Sequence, residues 1–181
     1  MKIVCLAWGS LLWKTGPLVL ASPWHEDGPV LPIEFCRVGD GGELSTAICA
    51  GAAPQKSWWA LLATSDLADA REQLRQREEI DAHHPEWVGS LVKGKDDPAA
   101  PEAIRRWLQR SEADAVVWTA LLPRINEEEG RCPGVHEAIE YLEKLSGETR
   151  SHAEDYIRRV PVSLNTEYRK AFATSLGWHP L

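Results

Sequence analysis

Short, continuously apolar or alternating stretches occupy the first part of the chain, and three-to-four-residue apolar spacing takes over later. Residues 2–8 form a buried-strand pattern, β-branched at Ile3 and Val4 and stopped by Gly9. A loop rich in Gly, Pro and Trp runs from Thr15 to Pro29, after which Val30 to Val38 resumes the strand pattern. Asp40-Gly41-Gly42 is a hairpin signal, because glycine accepts the positive φ that tight turns require, so Leu44 to Ala50 is expected to return antiparallel. Ser57 to Ala63 reads as a fourth strand.

Helical composition starts after Ser65-Asp66, a fitting N-cap, and continues from Leu67 to Glu78 without Gly or Pro. Val92 to Pro101 is a polar connector; a helix follows from Pro101 to about Arg110. Ala115 to Leu121 is the last strand, closed by Pro123. Three amphipathic helices complete the chain. Their apolar faces are Val135, Ala138, Ile139 and Leu142, ending before Gly147; Ala153, Tyr156, Ile157 and Val160, ending before Pro161; and Tyr168, Phe172 and Leu176, ending at Gly177. Strands first and helices later, with hairpin links, predict an α+β fold as one domain over residues 1–181.

Charge and composition narrow the function classes. The formal charge of −7 offers little to a polyanion, and Lys and Arg form no basic stripe interleaved with aromatics, so nucleic acid is not an expected partner. No run of about 18 apolar residues exists, so no spanning helix and no membrane partner are expected. Residues 2–8 are too short for a signal-peptide core, which predicts a cytoplasmic protein. Cys5, Cys36, Cys49 and Cys132 lack Cys-x-x-Cys spacing and read as reduced, structural thiols. His83-His84 points apart on any regular element, so no metal site is predicted. Nine Trp against 2 Phe and 3 Tyr imply large buried or stacking surfaces.

Candidate chemistry begins at Leu6-Ala7-Trp8-Gly9-Ser10-Leu11-Leu12-Trp13, where a buried strand ends in Gly-Ser. Successive amides after such a turn can cradle a carboxylate or carbonyl oxygen; a plain strand terminator is the alternative. This run resembles the tyrosine-glycine-serine-leucine signature of the γ-glutamyl cyclotransferase family, including its ChaC-type glutathione-degrading members. Gly9, Ser10 and Leu11 match, and Trp8 stands where the family usually has tyrosine. Downstream, Trp59-Ala60-Leu61-Leu62 resembles the family's tryptophan-containing strand, with Ala60 in place of its glycine. Leu74-Arg75-Gln76-Arg77-Glu78 is similar to the leucine-x-x-arginine-glutamate end of the family's catalytic helix. Many relatives continue with glycine and tyrosine, where this chain has Glu79-Ile80-Asp81.

The resemblance implies a mixed, partly closed, barrel-like sheet with flanking helices, although its signature pieces cover only residues 3–13 and 57–79. It implies Glu78 as the catalytic acid/base and Trp8, Gly9, Ser10, Leu11 and Leu12 as the substrate-holding loop. It further implies a small γ-glutamyl substrate, closed to 5-oxoproline with release of an amine, without cofactor or metal. Helical geometry gives an independent register. Leu67, Ala70, Leu74 and Glu78 share one face, and at about 3.6 residues per turn Glu79 is turned away by about 100°. A carboxylate on an apolar face loses hydration and so binds a proton more readily, which suits proton transfer. The competing expectation is an inward acid paired with Arg37 or Arg71 for structure alone. Glu34, in the apolar run Leu31 to Val38, is expected either to line the same cavity or to sit exposed on an edge strand. The Trp24-His25 and Trp58-Trp59 pairs could wall a pocket or pack the core. A non-catalytic module that binds a carboxylate or a partner's tail is the alternative function on the same fold.

Overall fold

A computed structural model describes residues 1–181. The chain forms two compact units, Met1–Leu31 with Lys56–Leu121 and Pro32–Gln55 with Leu122–Leu181. The fold is α+β, with two mixed sheets and five helices.

In the first unit β1 (Ile3–Ala7) is central, as its unbroken apolar run requires: all five residues are buried. It pairs antiparallel with β5 (Trp58–Leu61) and parallel with β7 (Ala115–Thr119), and β6 (Val88–Val92) completes the order β5-β1-β7-β6. Helix α1 (Leu67–Arg77) starts on Asp66, whose carboxylate accepts from the amides of Ala68 and Asp69 at 2.8 and 3.2 Å. Ala70 and Leu74 turn inward and share one core with Ile3, Cys5, Leu62 and Val117. The amphipathic α2 (Glu102–Arg110) buries Ile104 and Leu108.

The second sheet has the order β3-β2-β8-β9, with β4 (Pro54–Lys56) paired to β2. Its strands β2 (Val30–Val38) and β3 (Leu44–Ile48) form the expected hairpin; β8 (Arg124–Ile125) and β9 (Glu128–Glu129) form another. Helices α3 (Val135–Lys144), α4 (Gly147–Arg159) and α5 (Glu167–Leu176) belong to the second unit and bury the faces read from their spacing, Ala138 and Leu142, Ala153, Tyr156 and Ile157, and Phe172.

Four expectations change. Each sheet ends on strands that do not pair with each other, so both sheets are open and the expected partial closure is absent from the pairing. Strand β6 runs through a segment that carried no strand signal. Its Gly89 lies opposite Trp118, whose indole covers the glycine so closely that a Cβ there would overlap the ring. Ala115–Thr119 is not the last strand, because β8 and β9 close around Asn126 and Glu127, both at positive φ (50° and 64°). Finally, Cys49 and Cys132 are joined in a disulfide between Cα atoms 5.8 Å apart, across 83 residues of sequence, whereas Cys5 and Cys36 are free and buried. No helix is long and apolar enough to cross a membrane.

Candidate functional site

The end of β1 sets the loop. After Gly9 the chain makes a single 3-10 turn, Ser10–Leu12, closed by Leu12 N–H to the Gly9 carbonyl (3.0 Å) and by the Trp13 and Lys14 amides to the Ser10 carbonyl (3.2 and 2.8 Å). Trp8 and Leu11 are buried, and Leu11 anchors the turn in the core of the first unit. The Ser10 and Leu11 amides open the turn and have no acceptor within it, as for any helical start.

Opposed to this loop is the C-terminus of α1. Glu78 caps the helix, its amide donating to the Leu74 carbonyl at 3.0 Å. Glu79 then takes a left-handed conformation (φ 52°), with its amide donating to the Gln76 carbonyl and the Ile80 amide to the Arg75 carbonyl. That pair of bonds is a Schellman ending, closed by the buried Ile80, with glutamate at the position that usually takes glycine. The ending fixes the register: the Glu78 side chain is only 18% exposed, and Glu79 is exposed.

Arg77 joins the two parts. Its Nε donates to the Lys14 carbonyl (2.7 Å), one terminal nitrogen donates to Ser10 Oγ (2.9 Å), and the other lies 3.4 Å from Glu78 Oε1. Of the arginines expected as partners of Glu78, neither fills that role. Arg37 donates to the Leu122 carbonyl and pairs with Glu129, and Arg71 donates to the Pro85 and Val88 carbonyls and Ser90 Oγ. Glu72 on the outer side of α1 is held far below the usual carboxylate range, to about 2, by hydrogen bonds from Arg75 and Gln76.

Beneath the loop, the buried Cys5 thiol donates to the Leu6 carbonyl. Burial pushes its pKa well above the usual thiol range, the Glu78 charge adds to this, and Arg77 partly offsets it. Cys5 therefore stays protonated and is no nucleophile.

Glu34 belongs to the second unit, on an interior strand rather than an edge. It is 3% exposed; one oxygen accepts from the Phe35 amide (2.9 Å) and the other from the Tyr168 amide (3.4 Å). Burial raises its pKa, and hydrogen bonds from the Thr166 side chain and those two amides pull it partly back. The carboxyl is thus engaged at the start of α5. His83 and His84 lie on the surface, bonded to Asp81 and Glu86. The Trp58-Trp59 region is half-buried: His25 stacks on Trp59 (4.3 Å), and the indole nitrogens of Trp59 and Trp107 donate to Asp27 Oδ1 and the Asp27 carbonyl.

The residue that sequence reasoning missed is Arg77. Its position next to Glu78 was visible as part of the helix ending, but its partners Ser10 and Lys14 are 67 and 63 residues away. No protein-family model, curated protein or solved structure matches the chain.

Proposed function

We propose that the chain is a γ-glutamyl cyclotransferase-like enzyme, which converts a small γ-glutamyl amine or peptide to 5-oxoproline and a free amine. The observation that carries this reading is the Arg77 fork, which ties Ser10 and Lys14 of the glycine-serine loop to the helix end where the sheltered Glu78 stands. The left-handed backbone at Glu79 adds support, since many members of that family have glycine after the glutamate and this conformation is one glycine favours, although this chain departs from them in carrying glutamate there. A likeness to the cyclotransferase fold is part of the same reading.

In such a substrate the α-amine can reach its own γ-carbonyl carbon. Glu78 takes a proton from the α-ammonium; the freed amine attacks, forming a C–N bond and placing negative charge on the carbonyl oxygen. The Ser10 and Leu11 amides are the donors for that oxyanion. Collapse breaks the original amide C–N bond: Glu78 gives its proton to the departing amine, then takes the second proton from the new ring nitrogen and passes it on, so that the lactam leaves neutral and the amine leaves as an ammonium. Proton transfer contributes roughly 10²–10⁴ in rate, and holding the chain in a cyclic conformation supplies much of the remainder.

The test is incubation of the pure protein with a panel of γ-glutamyl amines, dipeptides and glutathione, with 5-oxoproline as the readout. Release from at least one compound, lost in Glu78→Gln and retained in Glu79→Gln, is the expected result. A blank across the panel overturns the enzyme reading. One observation favours a second function: the Glu78–Arg77 ion pair needs no substrate to be satisfied, as in a module that only binds a carboxylate. Saturable binding of a panel member without 5-oxoproline would establish that alternative.

A further inference from the structure

Arg77 has more contacts than an ion pair with Glu78 requires. Its guanidinium reaches two points of the loop, the Lys14 carbonyl and Ser10 Oγ, besides Glu78 Oε1. The side chain is 11% exposed; its bonds to Ser10 Oγ and Glu78 are partly buried and gain strength from reduced access to water, whereas the bond to the Lys14 carbonyl lies at the surface. Its stem lies against Gly16, where a Cβ would fall 3.2 Å from Arg77 Cδ and where φ is +58°. Glycine at 16 thus meets two local needs, a positive φ and room for the arginine. The exposed pair on the same helix, Arg75 with Glu72, is different in kind: both residues are on α1, and it ties nothing to the loop.

We infer that Arg77 is a positioning residue, a strut whose fork sets the distance and angle between the loop of residues 10–14 and Glu78. The inference deepens the cyclotransferase reading and rests on it for the catalytic consequence, but the strut itself has a readout that requires no substrate. A lysine at this place keeps the charge but has no planar fork, so it cannot span the Lys14 carbonyl, Ser10 and Glu78 together. The reacting geometry then loosens without loss of either the amides or the acid.

Amide hydrogen exchange tests the strut. In Arg77→Gln, exchange at the turn-bonded amides of Leu12, Trp13 and Lys14 is expected to rise about tenfold or more, with β1 and β7 protection unchanged. Arg77→Lys is expected to restore less than half of the lost protection, and Glu72→Gln to leave it at the wild-type level. With a turned-over γ-glutamyl compound, Arg77→Gln should lower kcat about 10–100-fold while KM changes by less than about threefold. Unchanged loop exchange in Arg77→Gln, or full restoration by lysine, overturns the strut. An unchanged kcat with a loosened loop overturns its catalytic role. If Arg77→Gln does not fold, Ser10→Ala decides: faster exchange at Trp13 and Lys14 supports the strut, and unchanged exchange refutes it. If the loop loosens as expected but wild-type protein forms no 5-oxoproline, the strut stands and the cyclotransferase reading falls.

Discussion

Two carboxylates sheltered from water, Glu78 in the first unit and Glu34 in the second, meet opposite fates. Glu34 is almost wholly enclosed, and its oxygens are met by neutral donors, the Phe35 and Tyr168 amides and the Thr166 side chain. Glu78 keeps a partly open side chain and faces a cation, Arg77, which is itself shared with the loop. Burial alone is therefore a poor guide to chemistry. A carboxyl whose partners are all neutral and whose access is closed serves the fold; one that is reachable and set beside a tethered loop is the better candidate for exchanging protons with a guest.

Substituting the two acids separates these roles most sharply. Glu78→Gln should lower 5-oxoproline formation by roughly 10²–10⁴-fold, and thermal unfolding should show little loss of stability. A rate within twofold of wild type would remove Glu78 from the mechanism.

The second unit's buried polar groups should instead respond in stability. Arg169 is 2% exposed and donates to the carbonyls of Ile157, Val160, Pro161 and Leu164, closing the connection from α4 to α5 without any carboxylate partner. Arg169→Met leaves those carbonyls without a donor and should cost about 2–4 kcal/mol in urea unfolding. A loss under about 0.5 kcal/mol would mean that water replaces the arginine.

Glu34→Gln turns an amide group toward backbone donors and should cost about 1–3 kcal/mol below the ordinary carboxylate range, where the acid is protonated. The pH dependence has a definite sign. Because the folded pKa is raised, folding favours the protonated acid; that stabilisation is complete below the ordinary carboxylate value and is lost as pH rises through the raised one. Urea midpoints for wild type should carry this downward contribution, and the difference between wild type and Glu34→Gln should shrink as pH rises. A difference constant with pH would show that Glu34 titrates as it does in the unfolded chain.

The smallest effect is at the helix ending beside Glu78. Glu79→Gly relieves a left-handed glutamate and should stabilise by about 0.5–1 kcal/mol, leaving turnover unchanged. Destabilisation would mean that the Glu79 side chain contributes more than its backbone strain costs.

Much of the first unit's local structure was legible. The Asp66 cap, the inward Ala70 and Leu74, and the opposite exposures of Glu78 and Glu79 all follow from spacing along one helix. The three C-terminal helices were legible for the same reason. Strand β6 was not, because Gly89 weakens strand propensity and only the Trp118 indole across the sheet makes glycine suitable there. The β8–β9 turn hid because Asn126-Glu127 lacks the glycine that marks such turns. The Cys49–Cys132 bond hid because a sequence separation of 83 leaves no local spacing to read.

The amino-acid order by itself determined where α1 and α2 run and that Ala70 and Leu74 face inward while Glu79 faces out, since capping, torsional preference and apolar period act over a few neighbouring residues. Tertiary structure alone decided that β1 lies beside β7, that Arg77 reaches Ser10 and Lys14, and that Glu34 is taken up by α5. Those partners are far apart along the chain, and a distant donor is selected only once packed surfaces have removed the competing water.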